Sequence, residues 1–135
     1  MTKQFWLNLP VKNINRSKDF FTNLGFSFKE GPGNTDTSAA LSVGGIVVML
    51  FEEDFFKTCS GNELTDTKQG TEVLMSVDAE SREEVDELAR KAAAAGGIVF
   101  GQPGEHQGWM YSCGFTDPDG HRWNVLHMDM SKMKH

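Results

Sequence analysis

The stretch GTEVLMSVDAESREEVDELARKAAAAGG, residues 70–97, decides how this chain is read. Its first nine residues alternate, with Val73, Met75 and Val77 on one side, which is the period of a strand with one buried face. Ser81 and Glu84 then form an S-x-x-E capping box. Val85, Leu88, Ala89 and Ala92 recur at helical spacing until Gly96-Gly97, so a helix with one apolar side should follow the strand. Downstream, GIVFGQ, GWMYSCGFT and HRWNVLHM read as three more strands, with Asp117-Pro118-Asp119-Gly120 as a turn. The element order is βαβββ.

The same order is found towards the N-terminus. KQFWLNLPV carries Phe5, Leu7, Leu9 and Val11 on its odd positions and reads as a strand. Asn15 offers a side-chain oxygen as an N-cap, and Phe20, Phe21 and Leu24 recur at helical spacing before Gly25, which suits the residue just past a helix end. GFSFKE, TSAALSV and IVVMLFE supply three strands, the last two joined by Gly44-Gly45, a dipeptide suited to a tight hairpin. After a short amphipathic turn at 53–56, KTCSGNELTDTKQG is polar and aperiodic and reads as a linker. Setting Val11 against Val77 places Trp6 over Glu72, Asn8 over Leu74, Asn15 over Ser81 and Arg16 over Arg82; the halves share element order more than residues. One domain over 1–135 is expected, with module one at 1–56, a linker at 57–70, module two at 71–130 and a tail at 131–135. The fold class is α+β: two tandem βαβββ modules forming a curved eight-stranded mixed sheet around a cup, with helices on the outer face.

Composition agrees with a single folded unit. A chain of 135 residues buries roughly two-thirds of its unfolded surface, so no metal or disulfide staple is needed. With 39% hydrophobic and 24% charged residues, it has ordinary globular composition, and no apolar run approaches the roughly 20 residues a membrane span requires. The net charge of −6 and the absence of a basic stripe argue against nucleic acid, and the tail Lys132-Met133-Lys134-His135 is too short to change that. MTKQFWLNLPV has no apolar core of a signal peptide, so no export is expected. Cys59 and Cys113 stand far apart in no metal-ligand spacing; a reduced, cytoplasmic setting is the simplest expectation and a disulfide the alternative.

Helices packed on one face of a sheet take one set of alternating residues, which leaves the other set on the concave side. Trp6, Asn8, Met49, Phe51, Glu72, Leu74, Ser76, Asn124, Leu126 and Met128 are that second set. Aromatic, thioether and a few polar groups together suit a small-molecule cup, although the same residues also serve as ordinary core. His106, in GEHQGWMY, is expected near a cup mouth with Trp109 and Tyr111, or else simply in solvent.

LPVKNINRSKDFFTNLGF at 9–26 and FTDPDGHRWNVL at 115–126 resemble the vicinal-oxygen-chelate superfamily of glyoxalases, bleomycin-resistance proteins and extradiol dioxygenases, and the resemblance runs essentially end to end. Metal-dependent members of that superfamily hold a divalent ion through His, Gln and Glu on four strands. The resemblance places those stations on Trp6, Met49, Glu72 and Asn124. Only Glu72 is an obvious ligand, so the usual metal site is expected to be dismantled and no cofactor is expected. His121 and His127 should lie about 20 Å apart on an extended strand, too far for one ion, and His135 is terminal.

Three functions remain open. The first is a metal-independent protein that binds a small organic, partly aromatic molecule in the cup. The second is a lyase, isomerase or dioxygenase-type enzyme using Glu72 as general base, or a non-standard metal site, with Asn124 positioning a carbonyl. The bland account of Glu72 is a satisfied polar group. The third is an interaction module, and the resemblance makes a homodimer plausible. Cys113 has no basic neighbour in sequence and reads as an inert buried thiol.

Overall fold

The computed structural model describes residues 1–132; Met133, Lys134 and His135, the end of the expected tail, lie outside them. The chain divides into two compact units, Met1–Asp66 and Thr67–His135. The first contains β1 (Leu7–Val11), α1 (Ile14–Asn23), β2 (Ser27–Phe28), β3 (Ser38–Val43), β4 (Ile46–Glu52) and α2 (Glu53–Ser60). The second contains β5 (Leu74–Asp78), α3 (Arg82–Ala94), β6 (Ile98–His106), β7 (Met110–Thr116) and β8 (Arg122–Met128), followed by a 3-10 turn at Met130–Lys132. Eight strands are thus present as expected, distributed over two four-stranded mixed sheets ordered β1-β4-β3-β2 and β5-β8-β7-β6. In each sheet the first strand runs parallel to the last, and the other neighbours are antiparallel.

In the first unit, Leu9, Val11, Val48, Leu50, Ala39 and Leu41 share the face packed by α1, whose Ile14, Ser17, Phe20 and Phe21 are buried. The N-cap is Asn13 rather than Asn15: its side chain accepts from the Arg16 amide at 3.0 Å. Starting the helix there brings Ile14 into the apolar stripe, whereas a start two residues later would leave it outside the helix. Gly25 ends the element with φ 98°, and the Phe26 amide returns to the Phe21 carbonyl at 3.0 Å. At the β3–β4 hairpin only Gly44 has positive φ, 58°, the pattern of a turn with glycine at its first central position.

Residues 57–60, expected as linker, are helical. Glu53 and Asp54 sit in the first turn of α2, where carboxylates favour the helix dipole, and Gly61 closes it with φ 68°. Phe55 adds an edge-on contact with Phe51 at 4.9 Å. These local terms were hidden in the sequence because Lys57–Ser60 carry no apolar period.

In the second unit, α3 buries Val85, Leu88, Ala89 and Ala92, the four residues its spacing singled out. Ser81 caps it by accepting from the Glu84 amide at 3.1 Å, while the Glu84 carboxylate accepts from the Glu80 amide at 3.2 Å, one residue earlier than the usual capping box. Beneath the helix lie Cys113, Phe115, Trp123 and Val125, with the Phe115 and Trp123 rings stacked in register. The β7–β8 turn is anchored by buried Asp117. Its carboxylate accepts from the amides of Asp119 and His121 and from Trp123 Nε1 at 3.0–3.1 Å, and burial pushes its pKa up. Thr67 donates its hydroxyl to the Asp119 carbonyl at 2.8 Å and so ties the start of the unit to this turn.

Candidate functional site

Strand parity sorts the expected site residues, because in-register neighbours share a face. On the first sheet the face away from α1 carries Asn8, Met49 and Ala40 in one row and Pro10, Phe51 and Ser38 in the next. The β2–β3 loop covers part of this face: a Cβ on Gly33 would sit 3.5 Å from both Met49 Cε and Ala40 Cβ. Met49 is therefore already packed by its own unit. Trp6 precedes β1 and is 52% exposed.

The second sheet is more open. Its face away from α3 carries Leu74 opposite Arg122, Ser76 opposite Asn124, and Asp78 opposite Leu126. Across β7 these rows continue to Thr116, Gly114 and Ser112. Leu74 is 52% exposed, Phe100 44% and Met128 45%. Glu72 lies two residues ahead of β5 and is exposed, outside the rows of side chains that share the sheet face.

The remaining expected residues do not gather with that face. Tyr111 has the parity of Cys113 and Phe115 and is turned to the helix, where its hydroxyl donates to Asp86 at 2.6 Å and Arg82 lies 4.9 Å from its ring centre. The Asp86 hydrogen bond pushes the Tyr111 pKa up, with burial adding to it. Trp109 is half-buried in the β6–β7 hairpin and donates from Nε1 to Gln107 at 3.2 Å. Exposed His106 ends β6 opposite Met110. His127 is on the helix side, with Nδ1 3.1 Å from the Ala79 carbonyl.

Arg122, Phe100 and Gly114 were missed. The Arg122 guanidinium lies 4.4 Å from the Phe100 ring centre, and a Cβ on Gly114 would fall 2.5 Å from that ring. Glycine at 114 thus lets the phenyl ring lie on the backbone, and the arginine lies on the ring. The signal was available in the parity of HRWNVL, since Arg122 faces the same way as Asn124. A separate polar cleft of about 390 Å³ in the first unit is lined by Lys12, Asn13, Asn15, Lys18, Asp36 and Glu52 among others, and none of the expected site residues borders it.

The sequence profile of the Glyoxalase/Bleomycin resistance protein/Dioxygenase superfamily matches residues 3–125. The chain belongs to this superfamily. Among solved structures of the superfamily and its relatives, a hypothetical protein from S. aureus is 33% identical, with TM-score 0.84 and 94% of each chain covered. A glyoxalase/bleomycin resistance protein/dioxygenase family enzyme from Burkholderia phytofirmans PsJN is 20% identical, with TM-score 0.76 and 91% of this chain and 96% of that one covered. A genomically encoded fosfomycin resistance protein from Listeria monocytogenes is 20% identical, with TM-score 0.67 and 98% of both chains covered. The last two likenesses carry the fold alone. No curated protein sequence matches the chain.

Superfamily members that use a metal need several hard or imidazole donors, and the donor chemistry here does not fit that group. Trp6 offers no donor atom and Met49 only a packed thioether, while Glu72 and Asn124 add one carboxylate and one amide. Among the described residues no three His, Cys, Asp or Glu side chains cluster as a metal site. No helix among those residues is long and apolar enough to cross a membrane.

Proposed function

We propose that this superfamily member binds a small organic molecule with an apolar or aromatic body on the open face of its second sheet, without a resident divalent metal. The observation that carries this is the composition of one sheet face. Large apolar side chains, Leu74, Phe100 and Met128, stand half-exposed there beside the polar groups of Ser76, Asn124 and Arg122. Apolar surface fixes a ligand's body by removing it from water, and a few placed polar groups orient it.

The donor-poor stations make direct contact with side chains, rather than chelation, the means of holding the ligand. The test is nuclear magnetic resonance mapping with small aromatic fragments added to protein kept in chelator. Amides of 74–78, 112–116 and 122–128 should shift as one saturable set. Shifts confined to the helix side, or arising only after a metal is added, would refute the proposal.

A further inference from the structure

On the open face of the second sheet one cation, Arg122, lies over an aromatic ring with no carboxylate partner among the described residues. Arg122 rests on Phe100, and Phe100 rests on the backbone of Gly114, which has no side chain to lift the ring. A guanidinium held over a ring can still offer its N–H groups to an anion. Among the described residues no carboxylate pairs with Arg122. This is unusual in a chain of net charge −6, where acidic groups outnumber basic ones.

Two neutral hydrogen-bonding groups stand beside it. Asn124 follows two residues along β8 on the same face, its Cα about 7 Å from that of Arg122 at strand spacing, and Ser76 is its in-register partner on β5. Neither side chain has a hydrogen-bond partner among the described residues. Leu74, opposite Arg122, and Leu126, beyond Asn124, flank the group with apolar surface.

We propose that Arg122, with Asn124 and Ser76, is the recognition site for the carboxylate of a small organic acid whose apolar body lies over Leu74 and Leu126. A planar carboxylate matches the arginine fork with two parallel hydrogen bonds, and the amide and hydroxyl donate to its remaining lone pairs. A single cation, with Asp78 in the next row beyond Ser76, suits a monoanion better than a phosphate dianion. This rests on the binding role proposed for that face and specifies the ligand's chemical class.

The test uses the full chain and two probes of the same shape, benzoate and neutral benzamide. Chemical-shift titration follows the Arg122 Nε–Hε resonance and the amides of the face. Benzoate should bind about tenfold or more tightly than benzamide and move the Arg122 signal. Arg122→Gln should reduce benzoate to the level of benzamide, and Arg122→Lys should restore only part of the difference. Phe100→Leu, which removes the aromatic face beneath the guanidinium, should weaken benzoate by a larger factor than benzamide. Equal affinity for both probes, or benzoate binding unaffected by Arg122→Gln, overturns the carboxylate site while leaving the binding face intact. Binding of benzamide without benzoate does the same. Failure of both probes, and of other small aromatics, to perturb the face overturns both proposals together.

Discussion

The Tyr111 hydroxyl donates to the Asp86 carboxylate at 2.6 Å and so holds its ring on the helix side of the second sheet, away from the face that carries Asn124. Arg82, which covers the same ring, also pairs with Glu105 on β6. Together these groups fasten the first two turns of α3 to the neighbouring strands. Tyr111→Phe should therefore lower the melting temperature by about a few degrees, as loss of a charged hydrogen bond does in a small domain. Fragment binding to the open face should be unchanged. A large loss of binding with no change in melting temperature would place Tyr111 in the site after all.

The β7–β8 turn should be a point of high sensitivity. Asp117→Ala leaves Trp123 Nε1 and two amides without their acceptor, which costs about 2–4 kcal/mol. Gly120→Ala is expected to cost about 2–3 kcal/mol, because φ is 85° and the added Cβ would meet Thr67 Oγ1 at 2.3 Å. Urea denaturation measures both, and a loss below about 0.5 kcal/mol in either would contradict the role assigned to the turn.

The two cysteines should differ sharply in reactivity. Cys113 is buried under α3, its thiol directed to the Val85 carbonyl, and burial followed by the charge of Asp86 pushes its pKa from 9.0 to about 11. Cys59 is exposed. Iodoacetamide near neutral pH should label Cys59 alone until the protein unfolds.

The same shift sets the sign of an alkaline effect. A thiol whose folded pKa is raised keeps its proton longer than in the unfolded chain, so its contribution to stability is complete below 9.0 and is lost as pH rises towards about 11. The denaturation midpoint should fall across that window, and the fall should shrink in Cys113→Ala. A midpoint rising with pH there would contradict the burial described.

The duplicated fold was legible because each module announces itself locally. The α3 stripe of Val85, Leu88, Ala89 and Ala92 is buried as its spacing implies, and Gly25 and Gly96 adopt the positive φ expected past a helix end. Element ends were less legible. Asn13 and Asn15 are equally good caps in isolation, and only the burial of Ile14 separates them.

Of the site, parity correctly put Leu74, Ser76, Asn124 and Leu126 on one face, since in-register pairing follows from the strands themselves. It stopped short of Arg122 because a charged residue next to a turn looks like a solvated one. The Phe100 ring beneath it depends on the irregular pairing between β6 and β7, with register shifts on either side of Gly101, which no period in GIVFGQ encodes. Tyr111 was drawn into the cup by its neighbours in sequence, although its odd position already placed it with Cys113 and Phe115.

The central claim is that organic ligands are held here by side chains and not through a resident metal. Elemental analysis of the purified protein after incubation with zinc, nickel, manganese or iron and gel filtration tests it most directly. Retention should be far below one metal per chain. One equivalent retained in the native protein and lost in both Glu72→Gln and Asn124→Leu would contradict the account.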